Sequence, residues 1–183
     1  MSEGFAIELY FDPALENQVL KAWNVLSLRQ ITSQLINIGS RPHINLFSTQ
    51  SLEPQKLEEM IKNFASKQQP LSITMASIGT FSDVKNRLFL APSPSLSLLQ
   101  LQTCLCDELR KMGVEIGDEY CRDSWIPHCL VAQDVPKNRM EEAFCVLRDL
   151  KLPISGCGID IALVEVSPMR EIFSFSLGHA VDE

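Results

Sequence analysis

No stretch of this 183-residue chain approaches the ~20 consecutive apolar residues that cross a bilayer, so no membrane-spanning helix is expected. The opening MSEGFAIELYF has an acidic residue where a secretory leader has basic ones, and it lacks a small-residue cleavage site. The expectation is a soluble cytoplasmic protein, with the nucleus as the alternative. Positive charge is scarce: 16 Lys and Arg stand against 23 Asp and Glu, for a net charge of −7. A protein that grips long nucleic acid through its phosphates needs the opposite balance, which leaves a small nucleotide or a short RNA end as the expected partner. The six cysteines, at 104, 106, 121, 129, 145 and 157, form no CxxC pair, and Cys104-x-Cys106 falls inside a helical pattern. They are expected to be reduced, mostly buried thiols, with no structural metal and no cofactor. A GxxxxGK[ST] loop and a G-x-S-x-G elbow are also missing, so P-loop nucleotide chemistry and serine-esterase chemistry have no support.

What is present suits a folded unit. Hydrophobic residues make up 45% of the chain and charged residues 21%, and the length fits one domain over 1–183 or two small lobes sharing a core. FAIELYF alternates Phe5, Ile7, Leu9 and Phe11 against Ala6, Glu8 and Tyr10, the period of a strand. Asp12-Pro13 then supplies a cap and a favoured first residue for a helix over 13–28, with Leu15, Val19, Ala22 and Leu26 at helical spacing. A strand carrying His43 follows, then a helix opened by Pro54 with Leu57, Ile61 and Phe64 inward, then an alternating strand from Leu71. The second half repeats the order. NRLFLAP is a strand, and 95–111 a helix on Leu98, Leu101, Leu105 and Leu109. IPHCLVA is the strand of His128, Pro136 opens a helix on Met140, Phe144 and Leu147, and CGIDIALVEVS with IFSFSLG closes the chain as paired strands. The expected architecture is α+β and duplicated, with strand-helix-strand-helix-strand in each of two lobes, about 1–84 and 85–183. The protein is expected to be a monomer.

Histidine is scarce too, and two of the three occur in matching places: RPHINLF around His43 and IPHCLVA around His128. A lone histidine on an apolar strand is usually a packing residue. A matched pair facing across a cleft is different, because an imidazole titrating near pH 6.5 can be a base in one copy and an acid in the other. Opening a strained phosphodiester needs that combination, one group taking a proton from water and one giving a proton to the leaving oxygen. His179, near the C-terminus, has no counterpart in the first half and is expected to be exposed and outside the chemistry.

The element order and the repeated Pro-His resemble the 2H phosphoesterase superfamily, which contains the 2′-5′ RNA ligase-like proteins and cyclic nucleotide phosphodiesterases and is named for two H-x-T or H-x-S motifs. The resemblance implies a bilobal α+β fold with mainly antiparallel sheets facing a central cleft, and metal-independent hydrolysis of 2′,3′-cyclic phosphates or related 2′-phosphodiesters. It makes His43 and His128 the catalytic pair, with acid and base unassigned. The phosphate-binding Thr or Ser positions fall on Asn45, which keeps an amide donor, and on Leu130, which has no hydroxyl. Removing one comparable donor costs on the order of 3 kcal/mol, about a hundredfold in rate. The resemblance therefore implies a slow enzyme or, alternatively, a weakened member that binds nucleotides or RNA ends or serves as a protein-interaction module. RNA ligation is a third reading, disfavoured by the acidic surface. Tyr10, Phe11, Phe81 and Trp125 are candidates for stacking a base, with the core as their default place. Arg41, Arg87 and above all Arg170, in the turn SPMRE, are candidates for neutralising a phosphate.

Overall fold

A computed structural model describes residues 4–178. His179 lies outside the described residues. In chain order the elements are β1 (Phe5–Phe11), α1 (Pro13–Leu28), the one-turn α2 (Gln34–Asn37), β2 (His43–Thr49), α3 (Pro54–Lys67) and β3 (Leu71–Thr80). The second half supplies β4 (Leu88–Pro92), α4 (Leu96–Lys111), a 3₁₀ turn (Asp118–Tyr120), β5 (Cys129–Ala132), a second 3₁₀ turn (Lys137–Arg139), α5 (Met140–Arg148), β6 (Ile154–Val166) and β7 (Met169–Ser176). Among the described residues no helix is long and apolar enough to cross a membrane.

Local chemistry accounts for the helix ends. Asp12 Oδ1 accepts the Leu15 N–H at 2.9 Å and Pro13 opens α1, while Ser95 Oγ accepts the Leu98 N–H at 3.2 Å to start α4. The stripes of α1, α3 and α4 are buried as their spacing predicts. The last helix differs: Ala143, Val146 and Leu147 are buried, and Phe144 is 43% exposed. After Pro136 the chain makes a 3₁₀ turn and the α-helix begins only at Met140; the side that meets the core is that of Ala143, Val146 and Leu147, and Phe144 falls beside it. The cysteines are all free, but only Cys106 and Cys129 are buried; Cys104 and Cys145 lie on exposed faces of α4 and α5.

All strand pairs are antiparallel, in the order β2-β1-β6-β3-β4-β5 with β7 also on β6. The two sequence halves interleave, because β6 lies between β1 and β3 and the long strand pairs β3 through its first residues and β1 and β7 through the rest. One sheet face carries the main core, with Ile7, Leu9 and Phe11 of β1 against Leu15, Val19 and Leu26 of α1. The opposite face of β1 presents Ala6, Glu8 and Tyr10, next to Ala162 and Val164 of β6. The histidine strands β2 and β5 are the two ends of this order, and they touch each other. The curl of the sheet thus closes a cleft between its own ends.

Candidate active site

The repeated Pro-His has a structural cause. Proline restricts the residue before it to extended backbone. At Arg41-Pro42-His43 and Ile126-Pro127-His128 the carbonyl ahead of the proline accepts a hydrogen bond from the imidazole, Nδ1 to Arg41 O at 2.6 Å and Nδ1 to Ile126 O at 2.8 Å. A carbonyl only accepts, so Nδ1 carries the proton in both rings and Nε2 is left for chemistry. Two unrelated stretches of sequence thus produce the same tautomer.

The duplication goes further than the histidines. In β2 the register moves from Glu8↔Asn45 to Ile7↔Phe47, and in β5 from Phe89↔Leu130 to Leu88↔Ala132. Each histidine strand therefore bulges at the third residue after its histidine, Leu46 in one and Val131 in the other. The carbonyl beside each bulge is held by an indole from the other half of the chain: Trp125 Nε1 donates to Asn45 O at 3.3 Å and Trp23 Nε1 to Leu130 O at 3.1 Å. Bulges re-aim side chains and leave backbone groups in need of partners, and the two tryptophans meet that need.

The electrostatic surroundings of the two rings differ. Around His128 lie Phe81, edge-on with ring centroids 4.8 Å apart, and Phe89 at 5.5 Å. Burial pushes the His128 pKa below its ordinary value, and the charges of His43 and Arg87 push it the same way. Phe89 lies across Gly79 of β3, where a Cβ would meet the ring at 2.4 Å, so glycine is what lets the ring approach. His43 instead faces a carboxylate, Nε2 to Glu8 Oε1 at 3.3 Å. Glu8 is 3% exposed, and burial raises its pKa while the His43 charge works in the opposite direction. With Nδ1 already committed to Arg41 O, Nε2 is the ring atom that meets Glu8, and the two form an ion pair when the imidazole is protonated.

Membership follows from the whole sequence as well as from these residues. The chain belongs to the 2′-5′ RNA ligase superfamily. The superfamily model matches residues 12–167, and the antiparallel α+β fold is that of the 2H phosphoesterases. Among solved structures, TT0787 of Thermus thermophilus is 14% identical with a TM-score of 0.64, covering 96% of this chain and 98% of its own. E. coli LigT in apo form is 12% identical with a TM-score of 0.62, covering 97% and 98%. E. coli LigT complexed with 3′-AMP is 11% identical with a TM-score of 0.59, covering 98% and 100%. No curated protein sequence matches the chain. Superfamily membership carries phosphoesterase-type chemistry.

The structure sorts the superfamily's expected site residues. His43 and Asn45 share a face of β2, in register with Tyr10 and Glu8. Leu130 is half-buried beside Phe89, two residues beyond His128. Phe81 lies against His128, with the Arg87 guanidinium 4.7 Å from its ring centre. Arg87 is itself paired with Asp83. Tyr10 is on the histidine face but only 2% exposed, with Arg41 stacked 4.2 Å over its ring, which leaves no room for a base. Arg41 is also ion-paired with Glu16 at 2.8 Å. Phe11 and Trp125 are core residues, and Trp125 acts through its indole N–H. Arg170 pairs with Glu165 at 2.9 Å in register with Phe5, on the face away from Glu8 and His43. Sequence reasoning passed over Glu8, Ser48, Tyr120, Phe89 and Trp23. Glu8 alone had a visible signal, an acidic residue in the middle of an apolar strand. A cavity of about 530 Å³ lies between α3 and α4, lined by Lys56, Phe64, Cys104 and Met112, away from the histidines.

Proposed function

We propose that this chain is a metal-independent phosphodiesterase that opens 2′,3′-cyclic phosphates, or related 2′-phosphodiester linkages, on nucleotides or RNA ends. The observation that carries the reading is the matched anchoring of the two imidazoles, each with Nδ1–H on a backbone carbonyl, which leaves Nε2 to carry the chemistry, beside Glu8 in the case of His43. His128, held neutral by burial, is the base: its Nε2 takes a proton from water as the water oxygen bonds to phosphorus. His43, with its Nε2 beside the Glu8 carboxylate, is the acid: in its protonated form, as the phosphorus–O2′ bond breaks, Nε2 gives its proton to the leaving oxygen. Phe81 and Phe89 provide an apolar wall beside the base. A nucleotide-sized ligand agrees with the acidic composition and with the 3′-AMP found in the E. coli LigT complex. Each lobe, in this reading, contributes one histidine of a monomer working in the cytoplasm or nucleus.

The test is turnover of 2′,3′-cyclic nucleotides by EDTA-treated protein, with products separated by chromatography, for wild type, His43→Ala and His128→Ala. The expected result is a 3′-phosphate product from wild type and a loss of at least a hundredfold in either variant. Leu130 supports a second reading, a member that binds nucleotides or RNA ends without turnover, because it places no donor two residues after His128. Nucleotide binding by a wild type that forms no product would establish that reading and end the first.

A further inference from the structure

The bulge at Leu46 has a consequence for the ligand. Because β2 holds one extra residue, Ser48 pairs with Ala6 and joins His43 and Asn45 on the face of Tyr10, Glu8 and Ala6. Without the bulge, the alternation of side chains would turn Ser48 to the other face. Asn45 Nδ2 donates to Ser48 Oγ at 2.7 Å and lies 3.5 Å from the Tyr120 hydroxyl. An oxygen that accepts from an amide keeps its own proton; the Ser48 and Tyr120 hydroxyls also meet each other, so the pair has one O–H to turn to a ligand and a second once the ligand replaces their mutual contact. The cluster is built rather than incidental. Gln102 of α4, 1% exposed, donates to Tyr120 O at 2.8 Å and to Leu46 O at 3.4 Å, tying the 3₁₀ turn to the bulge. The Tyr120 ring is set edge-on against Phe47 at 5.3 Å. Asn45 Oδ1 is buried with no hydrogen-bond partner among the described residues, an acceptor left for a donor such as a ligand hydroxyl rather than for a phosphate oxygen.

We propose that Ser48 and Tyr120 are the hydroxyl donors to the phosphoryl group of the ligand, taking over the role of a hydroxyl two residues after His43, with Asn45 as the residue that aligns them. The assignment rests on the reading that the histidine cleft receives a phosphoryl group, but it is tested by binding, without turnover. Adenosine 3′-monophosphate is titrated calorimetrically into wild type, Ser48→Ala, Ser48→Thr, Tyr120→Phe and the Ser48→Ala/Tyr120→Phe double variant, with thermal melts of each. The expected result is affinity weakened about tenfold in Ser48→Ala and in Tyr120→Phe, more in the double variant, and restored in Ser48→Thr, with melting temperatures unchanged. Affinity within twofold of wild type in the double variant would overturn the assignment, as would a wild type that does not bind. If the variants bind as expected while wild type forms no product from cyclic nucleotides, the donors stand and the hydrolase reading fails. If turnover persists while the double variant binds like wild type, the reverse holds.

Discussion

Replacing Glu8 by Gln separates what this buried acid does for stability from what it does for chemistry. Glu8 is 3% exposed, and its pKa is raised above the ordinary 4.5 by burial. A raised native pKa means that the folded state binds the extra proton. The stabilising contribution is therefore complete below about pH 4.5 and is lost as pH rises through the native value. Glutamine fills the same space and does not titrate. Relative to wild type, Glu8→Gln should become more stable as pH rises across that window, by up to about 1.4 kcal/mol for each pH unit between the ordinary and native values. Turnover should move the other way. His43 keeps its anchor on Arg41 O but loses the carboxylate beside its Nε2, and a drop on the order of a hundredfold is expected, the low end for a general acid because the imidazole itself remains. Urea unfolding at several pH values between 4 and 8, with turnover of a 2′,3′-cyclic nucleotide at the same points, measures both effects. Parallel stability curves for the two proteins, or turnover unchanged within twofold, would refute the role given to the Glu8–His43 pair.

Leu130→Thr should raise kcat on the order of a hundredfold by supplying the missing donor, at a cost of about 1–2 kcal/mol in lost apolar burial. An unchanged kcat in a variant that melts normally would show that this position does not face the phosphate. His128 should titrate below 6.5, placing the acidic limb of kcat/KM below that value; its contribution to stability is present above the ordinary pKa and is lost as pH falls through the native one. His43→Asn removes one of the charges that depress it, so the His128 ring signals in an NMR titration should move to higher pH, and no movement would mean that the rings do not sense each other. Trp23→Phe leaves the Leu130 carbonyl unpaired and should cost about 1–3 kcal/mol in urea unfolding, with a fall in turnover from the loosened His128 strand. Stability equal to wild type would argue against the indole as a strand anchor.

Much of this protein was fixed by short-range pattern. Alternation along 5–11, Asp12-Pro13 and Pro54, and the leucine spacing of 96–111 specify elements through backbone sterics and apolar periodicity, and these act within a turn or two. Pro-His was legible for the same reason, since proline acts on its immediate neighbour and on a ring one residue away. The last helix was misjudged at Phe144, because which side of a short helix meets the core is set by what it packs against, and here that side is Ala143, Val146 and Leu147. The candidate site was less accessible to reading along the chain. Glu8 meets His43, Trp23 meets Leu130, Trp125 meets Asn45, and Gln102 joins Leu46 to Tyr120, all pairings across the sheet or between the halves. Register decided them. A bulge of one residue places Ser48 beside Asn45, and the curl of the sheet brings its two end strands together. The sequence by itself determined the matched anchoring of the two histidines, because residue type and nearest neighbours set which ring nitrogen meets the backbone carbonyl. Only the tertiary structure decided their partners, because hydrogen bonding and burial depend on distances that close through the fold.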